Sequence, residues 1–140
     1  VDTQLALIAD SANVSVEGKL NILGEFDTIW AQSAPAAHPS LWFVAKLITH
    51  ESDIGKHRLL LRLVDEDGNT VLPPLTAALE IPSPAEGKAG EPRSVPVVLG
   101  LNNLPFASFG AYTFELRVDD LIVAQVPLYV RQLQQLAPEG

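Results

Sequence analysis

Tyr112-Thr113-Phe114-Glu115-Leu116-Arg117-Val118-Asp119-Asp120 sets an apolar residue at every second position and polar residues between. Successive side chains of a β-strand point to opposite faces, so this spacing describes a strand with one face on a core and one in water. His57, Leu59, Leu61 and Leu63, alternating with Arg58, Leu60, Arg62 and Val64, repeat the pattern. Asp119-Asp120 reads as a two-residue hairpin turn, with Asp at positions that require positive φ.

Working outward, eight strands are expected: Gln4 to Ser11, Lys19 to Trp30, Leu41 to His50, Lys56 to Asp65, Leu75 to Ile81, Arg93 to Leu101, Ala111 to Val118 and Leu121 to Val130. The 11 prolines and 9 glycines break every window in which an apolar stripe of helical period might run. A parallel sheet needs helical crossovers, which this excludes. The fold class is therefore all-β: a single-domain antiparallel sandwich of about eight strands, immunoglobulin-like or jelly-roll-like, over residues 1–131, with a C-terminal tail at 132–140. Leu7, Leu20, Ile22, Phe26, Leu59, Leu61, Leu63, Tyr112, Phe114, Leu116 and Val118 are its expected core. Ala31 to Ser40 and Pro82 to Pro92, rich in Pro, Ala, Gly and Ser, read as exposed loops.

The 140 residues carry 17 Asp+Glu against 9 Lys+Arg, a formal net charge of −8, with 47% hydrophobic and 19% charged residues. That composition folds. The basic residues are scattered along the chain, so no nucleic-acid partner is expected. No apolar run reaches the roughly 20 residues of a spanning helix, and no membrane partner is expected either. Cysteine is absent, which excludes disulfides, thiol nucleophiles and thiolate metal sites. The opening residues lack the features of a secretory signal. With the missing initiator methionine read as removed, the expected location is cytoplasmic.

Asp65-Glu66-Asp67-Gly68-Asn69 contains the D-x-D-G fragment of calcium loops, but position twelve is Thr76 rather than Glu and flanking helices are missing. It reads as a turn with a solvated acidic tip. If every strand reverses direction, Glu51, Asp53, Asp119 and Asp120 gather at the opposite end, and these four are the residual metal candidates. His50 and His57 flank one short connection and are expected to face each other as cross-strand neighbours near Asp53. No nucleophile elbow or phosphate-binding loop is present, so catalysis is not expected and no cofactor is implied.

Trp42 and Phe43 are adjacent on one strand, so one of them faces away from the layer the other packs into. Val97, Val98, Leu99 and Leu121, Ile122, Val123 share this two-faced apolar character. The surplus points to an interface, with Trp42, Phe43, Val97, Leu99, Leu121 and Val123 as candidates and a second copy or another protein as partner. The expected role is a non-catalytic interaction or self-assembly module. The alternative is a small-molecule, carbohydrate or metal-binding sandwich using loop-end acids and an aromatic such as Trp42 or Trp30.

ALIADSA (6–12), GKLNILGEFDTI (18–29), GKHRLLLRLVDEDG (55–68) and GAYTFELRV (110–118) together resemble a family of short bacterial proteins of unknown function. Gly18, Lys19, Asn21, Gly24, Phe26 and Asp27 match its G-K-x-N-x-x-G-x-F-D motif, and the closing strand is similar to the final hairpins of immunoglobulin-like sandwiches. The resemblance implies a fold and no activity.

Overall fold

The computed structural model describes residues 1–83 and 90–134. Among these residues nine strands run in chain order: β1 (Asp2–Val14), β2 (Leu20–Phe26), β3 (Thr28–Ala31), β4 (Ala36–Thr49), β5 (Gly55–Val64), β6 (Leu75–Ile81), β7 (Arg93–Phe106), β8 (Gly110–Val118) and β9 (Leu121–Gln132). They form two packed sheets, β2-β1-β4-β7 and β3-β9-β8-β5-β6. The architecture is the β-sandwich read from the sequence. Among the described residues no helix is long and apolar enough to cross a membrane.

Period-2 alternation sends Leu59, Leu61, Leu63, Tyr112, Phe114, Leu116 and Val118 of the five-stranded sheet inward, where all are buried. Leu41, Phe43, Ala45, Leu47 and Ile8 of the four-stranded sheet meet them. Phe43 and Phe114 touch across the two layers with ring centroids 5.8 Å apart, and Phe106 meets Tyr112 edge-on at 5.0 Å. The Tyr112 hydroxyl donates to the Ser108 carbonyl at 2.6 Å, which satisfies the one polar atom this buried side chain carries.

Four expectations change. Lys19 to Trp30 is not one strand: it ends at Phe26, and after Asp27 the chain crosses to the other sheet as β3. There β3 pairs parallel with β9, the one exception to the antiparallel pattern among the described pairs. Ala31 to Ser40 is not all loop, because β4 already begins at Ala36 and pairs along the whole of β7 as far as Phe106. Residues of low β-propensity become strand there because a long neighbour offers a complete ladder; tertiary context overrides propensity. Leu7 leaves the expected core for the outer face of its sheet, paired with Val44, and Leu20 and Ile22, half-buried on the edge strand β2, stay outside the core cluster. The tail expected from Gln132 begins later, since β9 includes that residue; residues 135–140, and 84–89 of the expected Pro82 to Pro92 loop, lie outside the described residues.

Candidate functional site

One end of the sandwich collects the acids that were candidates for metal. The β8–β9 turn places Asp119 and Asp120 at φ 49° and 69°, left-handed values that Asp tolerates better than most side chains. Asp119 accepts from the Arg58 backbone N–H at 2.9 Å and pairs with His57 Nδ1, while His57 Nε2 reaches the Asp53 carbonyl. The Arg58 guanidinium donates to Asp120 at 3.0 Å. Asp53 accepts from the His50 backbone N–H at 2.8 Å, and His50 Nε2 lies 3.0 Å from Asp2. Glu51 is exposed on the short 3₁₀ turn that joins β4 to β5.

The two histidines are therefore not cross-strand neighbours, as the sequence suggested. β4 and β5 belong to different sheets, so their connection crosses the sandwich instead of folding back as a hairpin, and each histidine finds its own carboxylate. Asp53 and Asp119 do come together through His57, but their oxygens are taken by protein donors. Among the described residues no three His, Asp or Glu side chains are placed to hold a metal ion. Asp65, at the other end, accepts from the backbone N–H groups of Asp67 and Asn69 at 2.9 Å each. That makes it a turn-forming aspartate.

The Asp119 carboxylate, then the Asp53 carbonyl, hold the His57 pKa above its ordinary 6.5. The Arg58 N–H, then His57, hold Asp119 below 3.8. A raised histidine pKa contributes stability that is complete below the unfolded value and is lost as pH rises through the folded value; a lowered carboxylate loses its contribution as pH falls. The pair is thus strongest between about pH 4 and 6.5. A His57→Gln variant should show its widest gap in Tm from the wild type inside that window, with the gap closing toward alkaline pH. Thermal melts across pH read this directly, and a gap independent of pH would overturn the assignment.

The interface candidates divide. Phe43 and Val97 are buried in the core and offer no surface, and Leu99 and Val123 pack against it from partly buried positions. Leu121 stands exposed beside the β8–β9 turn. Trp42 alone of the six lies on the outer face of the four-stranded sheet, its indole across Gly100, where an added Cβ would come within 3.0 Å of the ring. Strand pairing joins it to residues outside the candidate set. Leu5 faces Lys46, Leu7 faces Val44, Ala9 faces Trp42, and on the far side Val98 faces Val44 and Pro96 faces Lys46. Val44 is 0% exposed although it points away from the core, boxed in by Leu7, Val98, Trp42 and Lys46. The signal for Leu5, Leu7 and Val44 was present in the unbroken apolar runs Leu5 to Ala9 and Leu41 to Ala45.

The five-stranded sheet presents a different outer face. Alternation gathers Lys56, Arg58, Arg62, Arg117 and Arg131 there, five of the chain's nine basic residues. Glu115, with a side chain 10% exposed, lies 3.7 Å from Arg62 and 3.5 Å from Arg117. Glu80 stands opposite Lys56. The basic residues are scattered in sequence and clustered in space, but paired carboxylates interrupt the cluster.

Among solved structures that resemble this one is a β-glucuronidase from glycoside hydrolase family 2, at a TM-score of 0.35 and 14% identity over 69% of this chain and 11% of that one. The chain spans about a tenth of that enzyme's length, and a likeness of this size says nothing about activity. No curated protein matches the sequence. The model of a family described as a family of unknown function (DUF6941) matches residues 4–131, from the first strand to the last, and the chain belongs to that family.

Proposed function

We propose that the protein is a non-catalytic assembly module that pairs with a second copy of itself through the outer face of the β2-β1-β4-β7 sheet. The observation that carries this reading is the apolar field of Leu5, Leu7, Trp42, Pro96 and Val98 laid over the buried Ala9 and Val44, with Lys46 within it and the carboxylates Glu25 and Asp2 at its margins. An antiparallel sheet with one solvated face alternates apolar with polar residues, and these strands do not. At −8 overall, two copies repel over most of their surface, and this field, with Lys46 inside it and carboxylates only at its margins beside Ala9 and Ile48, is where they approach most cheaply.

Strand spacings give the whole outer face about 500–600 Å² and the apolar field about half of that, so a face-to-face pair buries at most about 1,000–1,200 Å² in total, the lower end of specific interfaces. The dimer is accordingly weak and concentration-dependent. Edge-to-edge pairing is the less favourable route. The free edge at β7 carries Pro96 and Pro105, and the edge at β2 carries Gly24 at φ 74°, devices that blunt strand addition. We also read the sandwich as immunoglobulin-like, supported by the Tyr112 hydroxyl bonded four residues upstream, the arrangement of a tyrosine corner.

Sedimentation equilibrium over a range of concentrations tests the assembly. The wild type should shift from monomer to dimer, and Trp42→Asp, at a half-buried surface position, should weaken the dimer by about 30-fold or more while leaving the fold intact. A wild type that stays monomeric to millimolar concentration, or a dimer indifferent to Trp42→Asp, overturns the reading.

A further inference from the structure

The opposite layer carries a groove of about 1010 Å³ at the β3 edge of the five-stranded sheet. Trp30 on β3 forms one side, 59% exposed. Tyr129 and Arg131 on β9 form the floor, with the guanidinium carbon 4.9 Å from the centre of the tyrosine ring. The Asp65–Asn69 turn delivers Glu66 to the far side, where one carboxylate oxygen accepts from the Ala111 N–H at 2.8 Å. Gln132 and Gln134 complete the polar lining. An indole this exposed is costly in water.

We propose that this groove binds a saccharide. A pyranose ring has one flat face of C–H groups and a rim of hydroxyls. The open indole of Trp30 suits the first, as an aromatic face does for apolar matter with a polar border. The planar carboxylate of Glu66, the guanidinium of Arg131 and the glutamine amides suit the second, since each can engage neighbouring hydroxyls with two hydrogen bonds. The volume lies at the upper end of ordinary ligand sites and leaves room for more than one sugar ring. Proline-rich peptides also dock on aromatic grooves, but they need a row of open rings, and here Arg131 occupies a face of Tyr129 and Phe109 is partly buried against the core, which leaves Trp30 as the open ring. The site is on the layer opposite the assembly face, so either reading can fail without the other.

Affinity electrophoresis of the full chain, in native gels cast with soluble β-glucan, xylan, galactomannan or polygalacturonate, is the test. At least one polymer should retard the wild type, and Trp30→Ala should cut that retardation about three- to tenfold with an unchanged circular dichroism spectrum. Glu66→Gln, which keeps an acceptor for Ala111, should weaken it as well, and this holds the test open if Trp30→Ala fails to fold. Retardation by none of the polymers, or retardation that both variants retain in full, overturns the proposal. So does an indole N–H signal of Trp30 that moves in NMR spectra with decaproline and with no saccharide.

Discussion

Phe114→Ala should lower the stability of the sandwich by about 3–5 kcal/mol, the largest loss expected from any single truncation considered in this fold. Phe114 is 0% exposed at the centre of β8 and meets Phe43 of the facing sheet. Its removal opens a cavity where the two layers touch, and neither sheet can collapse into it without breaking its own strand pairing. For a chain of this size the loss corresponds to a fall in Tm of about 10–20 °C. Denaturant unfolding gives the same quantity independently. Because Phe43 and Phe114 share a contact, the double variant Phe43→Ala/Phe114→Ala should cost less than the sum of the singles, by about 0.5–1.5 kcal/mol. Full additivity would mean that the two sheets are not joined at this point.

Glu115→Ala should be the second largest. Its carboxylate lies between Arg62 and Arg117, whose side chains are only 28% and 29% exposed, and the Nε atoms of both are buried without a hydrogen-bond partner among the described residues. Removing the carboxylate leaves two guanidinium groups facing each other with their neutralising charge gone. A fully buried pair broken in this way costs about 3–5 kcal/mol, and partial exposure of the arginines reduces that to about 1–3 kcal/mol here. The ion pairs themselves are not the source of the effect: Glu115→Leu combined with Arg62→Leu, which removes one charge of each sign, should be nearly neutral. Added salt should narrow the gap between Glu115→Ala and the wild type by screening the residual repulsion. A gap unaffected by salt would assign the loss to packing.

The strands were legible where alternation is strict. Tyr112 to Val118 needs no partner to declare which face is buried, because a period of two leaves one choice once the apolar set is known, and in His57 to Val64 the two arginines mark the outer face although Leu60 and Val64 share it. The turns at Asp65 to Asn69 and Asp119-Asp120 were legible for a similar reason, since aspartate and glycine carry the required backbone and side-chain geometry locally. The sandwich follows from these pieces and the absence of any helical stretch.

Alternation fails as a guide where both faces are apolar. Leu5 to Ala9 and Leu41 to Ala45 contain enough apolar residues to face a core in either register, so their pattern points Phe43 and Val97 to a surface they do not share and Leu7 to a core it does not enter. Only pairing decides, because the register of β1 and β7 against β4 places Leu7, Val44 and Val98 in one row. The same limit hid the crossing at Asp27, where one continuous apolar pattern serves two sheets, and the gathering of five basic residues from β5, β8 and β9 onto one face.

The sequence by itself determined the class of fold, the strands of strict alternation and the turns, all of which depend on residues close in the chain. The tertiary structure decided which apolar face is left over, which carboxylate each histidine meets, and that Trp30, Glu66 and Arg131 border one groove. Those outcomes join residues tens of positions apart, and their proximity follows from strand order and register, which local periodicity does not encode.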